Sequence, residues 1–506
     1  MAAPFAYGSD RLTPEIALAL AKGEREGKLT SAVRERLAGA HAQVVAIAAG
    51  DSASYGINTG FGPLCSTIIA KADRARLQEK LLKSHSVGVG PAIDPLVSRL
   101  MLVGKVHGLC QGASGIAPAI IDRLLWHLDT GYTPVVPSQG SVGASGDLAP
   151  LSHLFLPLIG EGYVTVFGAS SRATSRESST TPTPAATVLR EHALEPLHLG
   201  PKAGLALING TQFIAAHAVL ATVRLKRCLA QANLIGAMMV DALQGSHAPF
   251  DARLHALRPH AGAVAVASSL RQNLRGSTVP AAHADCDRVQ DPYSLRCMPQ
   301  VHGASADAIA HLESALSVEL NAVTDNPVLV GREEVISGGS FHGQPLALPI
   351  DYACLAAAEL GSISERRTYL SLLGEHPNGH RLLMENAGLD SGFMIVQYTA
   401  AALVSENKTQ CFPAAADSIP TGMGQEDHVS MGAHGARKLL RVVDNLERIL
   451  GIELLCAAQA LDFQRPLRSG AAVEALHARV RAAVPHATAD EVFAPWIERC
   501  AELVRG

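Results

Sequence analysis

The stretch Asp427–Phe463 places Leu439, Val443, Leu446 and Leu450 at spacings of four and three, which is one stripe of a packed helix. It is the longest of several such stretches, and together they point to a mainly α fold. Pro14–Lys22 and Ser31–Ala49 carry short amphipathic patterns, and Pro95–Leu109 and Pro118–Leu128 read as buried helices joined by the Gly112–Gly115 break. Gly204–Leu243 is rich in Ala and Leu, lacks proline and reads as one helix. Ala304–Thr324 should end at Asp325-Asn326-Pro327, because a residue before proline is driven out of the helical region. Pro349–Leu373 would begin with proline in a tolerated first-turn position. Ser391–Asn407, Ala471–Val484 and Asp490–Val504 complete the helical set. Strand signals are confined to Tyr163–Phe167, Val328–Val330 and Glu334–Ile336. Gly168–Thr187, rich in Ser and Thr with two prolines, reads as a polar, mobile surface insertion. The expected architecture is a bundle of long central helices (201–506) with a smaller, loop-rich N-terminal part (1–200), in one continuous structural unit. Long helices expose wide apolar faces, so a homo-oligomer is expected.

Composition removes several function classes. With 506 residues, 48% of them hydrophobic, the chain has ample material for a large core. A net charge of −4 lacks the basic face of a nucleic-acid binder. No run of about 18 apolar residues appears, so no membrane span is expected. The N-terminus shows no basic region followed by an apolar stretch, so no secretion signal is read there. Nine scattered cysteines without a CxxC pair suit free thiols in a reducing cytoplasm. No HExxH or clustered Cys/His spacing occurs, and His428 and His434 stand six apart, so no metal is implied.

The chemistry concentrates in Gly140-Ser141-Val142-Gly143-Ala144-Ser145-Gly146-Asp147-Leu148-Ala149-Pro150-Leu151. If the amide nitrogen of Gly146 attacks the carbonyl of Ala144, a five-membered ring closes. Loss of two waters, one from the Ser145 side chain, leaves an exocyclic methylene, the electrophile 4-methylidene-imidazol-5-one. The residue types suit this: Gly146 has no Cβ to block its nitrogen, Ala144 is small, and Ser145 carries a hydroxyl that can leave. The plain alternative is a Gly-rich turn ahead of a helix, with Asp147 as N-cap of the apolar stretch Leu148–Leu158. The run is not a phosphate loop, since no Gly-Lys-Ser/Thr follows. Nor is it a nucleophile elbow, which needs glycine where Asp147 stands. Gly112-Ala113-Ser114-Gly115 contains the same tripeptide, so the tripeptide alone decides nothing.

Ordered motifs along the chain separate the two. They are Tyr55-Gly56-Ile57-Asn58-Thr59-Gly60-Phe61-Gly62, Ser84-His85 with Gly88-Val89-Gly90, Gly143–Pro150, Leu207-Ile208-Asn209-Gly210-Thr211-Gln212, Gln290–Cys297, Asp325-Asn326-Pro327 and Gln425-Glu426-Asp427-His428. From about residue 9 to about residue 465 the chain resembles the aromatic amino-acid ammonia-lyase family. The resemblance implies that Ala144-Ser145-Gly146 forms the electrophile autocatalytically, with no external cofactor. It also implies a homotetramer in which three subunits build each active site.

Elimination of ammonia from an α-amino acid faces a poor leaving group and a β-proton of low acidity. The resemblance assigns the first problem to the electrophile, which attaches to the amine or to the aromatic ring; amine attachment is the favoured reading. It assigns the second to Tyr55 as base. A phenol titrates near ~10, so bringing it to about 8 requires roughly 2.7 kcal/mol of extra phenolate stabilisation. Arg296 matches the family's carboxylate clamp, a task suited to a bidentate fork. Gln290 and Tyr293 share its motif and would lie near the electrophile or substrate. Asn209 would hydrogen-bond near the electrophile or the substrate carboxylate.

In this family two adjacent residues sort substrates: Phe-Leu goes with phenylalanine, His-Leu with tyrosine and Ser-His with histidine. Here the pair is Ser84-His85, and Glu426 can accept a hydrogen bond from a substrate imidazole. Phe341 would pack beside the substrate. The implied reaction is elimination of ammonia from L-histidine to give trans-urocanate, the first step of histidine degradation. Three residues depart from the family pattern near the expected pocket: Gly424 and Ser340, where Asn is usual, and Met298, where Gln is common. A tyrosine or phenylalanine ammonia-lyase, or an aminomutase using the same electrophile, stands as the alternative. A non-enzymatic helical scaffold would not need the Gly-rich loops that carry Tyr55 and Ser145.

Overall fold

The computed structural model describes residues 3–50, 52–60, 62, 66–168, 179–282, 289–331, 334–375 and 378–506. The chain divides into two compact units, each built from three separate stretches. The first comprises Met1–Leu220, Glu313–Ile350 and Pro413–Arg437; the second comprises Ala221–Leu312, Asp351–Phe412 and Lys438–Gly506. The fold is mainly α, with long helices Gln212–Ala242, Met298–Glu319, Gln344–Ser371 and Gly432–Asp462.

Helices with strong local start signals fall where the sequence puts them. Pro14–Lys22 starts with proline and is capped by Thr13, whose hydroxyl accepts from Ile16 N–H at 3.3 Å. Thr30 caps Ser31–Ala49 in the same way, and Asp94 caps Pro95–Leu109. The expected continuous helix Gly204–Leu243 is instead two, Ala203–Ile208 and Gln212–Ala242. Gly210 at φ +126° and extended Asn209 break it. The helix expected from Pro349 starts five residues earlier, at Gln344, and contains the proline. Its apolar window is long enough to cross a membrane, yet 67% of that window is buried inside the chain, as in a core helix. Arg74–His85, a helix with a highly charged sequence, was not expected and carries Ser84-His85 at its C-terminus.

The strands are short. Tyr132–Pro134, Tyr163–Val166 and Ser179–Pro184 form an antiparallel sheet in that order. Part of the expected irregular insertion is therefore an edge strand, where Pro182 and Pro184 cost no central ladder bond. Its residues 169–178 lie outside the described residues, as does Phe61 of the Tyr55 motif. The seven described cysteines are all unpaired.

In the second unit one buried polar network joins the four long helices. Arg367 and Glu453 are both fully buried and pair through two guanidinium nitrogens, Nη2 to Oε2 being 2.9 Å. Arg367 Nη1 also faces His302 Nε2 at 3.3 Å, and His302 Nδ1 donates to Asn233 Oδ1 at 2.8 Å. A guanidinium only donates, so Nε2 is the unprotonated nitrogen of a neutral ring. Burial, reinforced by Arg367, holds the His302 pKa well below its ordinary value. Arg367→Met or Glu453→Leu alone should cost about 3–5 kcal/mol, because each strands a buried charge. The double variant should recover most of that loss in thermal unfolding. A double variant no more stable than its singles would show that the pair is not the coupled unit.

Candidate active site

The run Gly140–Leu151 folds back against Asn209-Gly210, where two backbones meet almost without side chains. Asp147 N–H donates to the Gly210 carbonyl at 2.7 Å, and Gly210 N–H donates to the Ser145 carbonyl at 3.4 Å. Gly146 lies at φ +75°, and a Cβ there would stand 2.1 Å from the Gly210 oxygen, so only glycine fits. Asp147 does not cap the helix Leu148–Phe155 that follows it. Its Oδ2 accepts from Phe213 N–H and Ile214 N–H, both at 3.0 Å, at the N-terminus of Gln212–Ala242. The expected N-cap therefore serves a helix distant in sequence. Burial pushes the Asp147 carboxyl up to about 7, against the opposing pull of these two N–H groups and the Ser141 hydroxyl.

Ala144 and Ser145 face a cavity of about 620 Å³ in the first unit, which Tyr55, Asn209, Phe341 and Glu426 also line. A smaller hollow of about 220 Å³ also borders Ala144 and is lined by Ser84, His85, Gly146 and Glu426. Ala144 and Glu426 border both spaces. The second tripeptide is structural instead. The Ala113 carbonyl accepts from Leu329 N–H at 2.8 Å, Ser114 is buried, and a Cβ on Gly115 would strike Val44 at 2.2 Å. This site meets the residue demands of cyclisation: glycine is obligatory at 146, and the two residues before it border open space.

Each lining side chain has its own local support. The Tyr55 loop is stitched by Asn58, which accepts from Ser54 N–H at 2.7 Å and donates to the Ser52 carbonyl at 2.8 Å. Tyr55 OH accepts from Gly62 N–H at 3.3 Å. Asn209, buried at the cavity wall, donates its amide to the Asn326 carbonyl at 2.7 Å. Asn326 Oδ1 in turn accepts from Gly338 N–H at 2.7 Å and so holds the loop that carries Phe341. The helix expected to run to Asp325-Asn326-Pro327 ends earlier, at Glu319, and the motif instead positions the cavity wall.

Glu426 closes a six-residue turn with Thr421. Thr421 N–H donates to the Glu426 carbonyl at 2.9 Å, and the Thr421 hydroxyl donates to Oε2 at 2.9 Å. Oε1 accepts from the Ser145 hydroxyl at 3.4 Å. Gly424 in this turn has φ +88° and no atom within 4 Å of a built Cβ, so the exchange with Asn is between two residues that tolerate left-handed backbone. Ser84 Oγ lies 2.9 Å from His85 Nδ1 and donates to the Leu81 carbonyl at 3.1 Å. Burial lowers the His85 pKa, opposed by the Leu81 carbonyl and the Glu426 carboxylate.

Gln290, Tyr293 and Arg296 are not part of this lining; they belong to the second unit. Tyr293 is 70% exposed, and the Arg296 guanidinium stacks on its ring at 4.6 Å. Arg296 donates to Gln290 Oε1 at 2.8 Å and to the Asp291 carbonyl at 3.0 Å, so the three form one ordered surface group. Met298 is fully buried against Gly236 in the same unit and is a packing residue. His342 and His428 also line the large cavity and were not singled out as site residues from the sequence. His342 Nδ1 accepts from Gln344 N–H at 3.3 Å, so its Nε2–H donates to the His428 carbonyl at 3.2 Å. Their adjacency to Phe341 and Glu426 was the available signal.

The family model for aromatic amino acid lyases matches residues 12–482. The histidine ammonia-lyase of Deinococcus radiodurans is 49% identical over 482 residues, covering 95% of this chain and 90% of that relative. Among solved structures, histidine ammonia-lyase from Trypanosoma cruzi superposes with a TM-score of 0.89 at 40% identity, covering 99% of this chain and 93% of that one. Tyrosine aminomutase from Streptomyces globisporus superposes with a TM-score of 0.92 at 34% identity, covering 99% and 97%. With a family model spanning most of its length and relatives this similar from end to end, the chain belongs to the aromatic amino acid lyase family.

Proposed function

We propose that the chain eliminates ammonia from L-histidine to give trans-urocanate, using 4-methylidene-imidazol-5-one formed from Ala144-Ser145-Gly146. The observation that carries the substrate is the hollow beside the tripeptide, whose polar wall is Ser84, His85 and Glu426. Ser84 and Glu426 already have protein partners, but His85 Nε2 and the remaining lone pairs of the Glu426 carboxylate have nothing to gain from a phenyl ring, whereas an imidazole offers them both a donor and an acceptor. The names of the relatives from Deinococcus radiodurans and Trypanosoma cruzi support the same substrate.

The methylidene-imidazolone supplies an electrophile that turns the substrate amine into a better leaving group. The rest of the work falls to ordinary side chains. Tyr55, on the cavity wall, takes the β-proton at its phenol oxygen, where the Gly62 N–H already donates and favours the phenolate. His85 and Glu426 hold the imidazole, Phe341 packs against it, and Asn209 orients the amino-acid end. Arg296 binds the carboxylate with Tyr293 and Gln290 beside it.

Because Gln290 and Tyr293 are exposed and Arg296 half-buried on the second unit, away from the cavity lining, we assign them to a site completed by another copy of the chain in a homotetramer. Tyr352, Leu355, Ile395, Tyr398 and Phe412 of the same unit are exposed apolar side chains that neighbouring copies would cover.

A panel of L-histidine, L-tyrosine and L-phenylalanine, read by ultraviolet absorbance of the conjugated acid and by ammonia release, tests the substrate. Product from histidine alone is expected, and replacing Ser84-His85 by Phe-Leu should lower histidine turnover and admit phenylalanine weakly. β-Amino acid from tyrosine would favour the aminomutase reading. Tyr55→Phe should lower kcat by at least roughly 10²-fold with KM little changed, the loss expected for a general base. Tyr55→Phe and Arg296→Met chains, each nearly inactive alone, should recover up to roughly a quarter of wild-type activity when co-assembled at random. No recovery in mixed tetramers would mean that one chain supplies both residues.

A further inference from the structure

Lys105 lies on the helix Pro95–Leu109, 2% exposed, and lines neither of the two hollows. An ammonium buried this deeply gives up several kcal/mol of hydration, which only interactions with buried acceptors and charges can offset. Its hydrogen bond goes to a main-chain oxygen, the carbonyl of Asn209, and not to a carboxylate. The neighbouring buried Lys202 differs: it pairs with Asp325 and donates to the Ser114 carbonyl at 3.1 Å. Burial pushes the Lys105 pKa down to about 7, opposed by Asp325 and Asp147 and reinforced by Lys202.

The Asn209 carbonyl and the Gly210 N–H belong to one peptide group. Lys105 holds its oxygen; its N–H donates to the Ser145 carbonyl at 3.4 Å, and the next carbonyl, that of Gly210, accepts from Asp147 N–H at 2.7 Å. In its protonated form the lysine also makes that peptide's N–H a stronger donor, and the neutral amine still donates a hydrogen bond to the carbonyl. We propose that Lys105 is a positioning residue for formation of the electrophile: it pins the Asn209–Gly210 peptide that holds Ser145-Gly146-Asp147 in the bent conformation from which the ring closes. This rests on the reading that Ala144-Ser145-Gly146 cyclises. In that reaction the Gly146 nitrogen bonds to the Ala144 carbonyl carbon and its proton passes to the carbonyl oxygen. That oxygen leaves as water with the Ser145 amide proton, and the Ser145 hydroxyl leaves as water with the Cα proton. The balance needs no oxidant or reductant.

The test is a time course of intact mass on freshly translated full-length protein: wild type, Lys105→Met and Lys202→Met. Wild type should lose two waters. Lys105→Met should lose them at least roughly tenfold more slowly, the effect of one charged hydrogen bond. Lys202→Met should lower the unfolding temperature without the same lag, which separates positioning from general stability. Loss of both waters from Lys105→Met at the wild-type rate overturns the proposal. Should Lys105→Met fail to assemble, Lys105→Gln replaces it, since it keeps a neutral donor for the Asn209 carbonyl. An intermediate lag is then expected, and wild-type kinetics would again overturn the role. Wild-type protein that retains its encoded mass would instead remove the cyclisation reading itself.

Discussion

The close crossing of two backbones at Gly146 and Gly210 is the contact on which the rest of the site depends. Hydrogen bonds at 2.7 and 3.4 Å tie the strands, and there is no room for a side chain at Gly146. One residue on, the Asp147 carboxylate takes two orphan N–H groups at the start of Gln212–Ala242. The same crossing therefore fixes the start of a 31-residue helix and the aim of the tripeptide. A buried carboxylate is tolerable there because donors surround it, though burial still wins and raises its pKa.

Around this crossing the first unit arranges two kinds of wall. On one side are Tyr55 and Phe341, each on a loop held by an asparagine, Asn58 and Asn326. On the other are Ser84 and His85 at the end of a short helix, close to the Glu426 carboxylate. Glu426 borders both, and its closed turn with Thr421 leaves the carboxylate little freedom. Hydrogen bonds to main chain, more than packing, position these groups, as suits a site carried on loops.

Where a structural cue was local, the sequence displayed it. Pro14 and Pro95 in first turns and the Thr13 and Thr30 caps mark helix starts to the residue. Where the cue was a distant partner, it did not. The Asn209-Gly210 pair is a turn signal inside the Ala/Leu-rich run, but the geometry of the break depends on the opposing Ser145–Asp147 backbone, which the run does not reveal. Asp147 reads as a cap for the helix it precedes because its true partners are more than sixty residues away. The residues of the cavity were legible through resemblance, since no spacing rule connects Tyr55, Ser145 and Glu426. Lys105 left a fainter trace: a lone cation in the apolar run Leu100-Met101-Leu102-Val103-Gly104-Lys105-Val106.

The discontinuous make-up of the first unit sets an order of events during synthesis. The tripeptide emerges early, but Met431 N–H bonds to the Val142 carbonyl at 3.0 Å, and a Cβ on Gly143 would strike the Ser430 hydroxyl at 2.2 Å. Glu426 reaches Ser145 from the same late stretch. The turn at residues 142–147 thus waits, incompletely enclosed, while the ribosome adds almost three hundred more residues. Local helices can form in that interval, but the site itself is among the last parts of the chain to close.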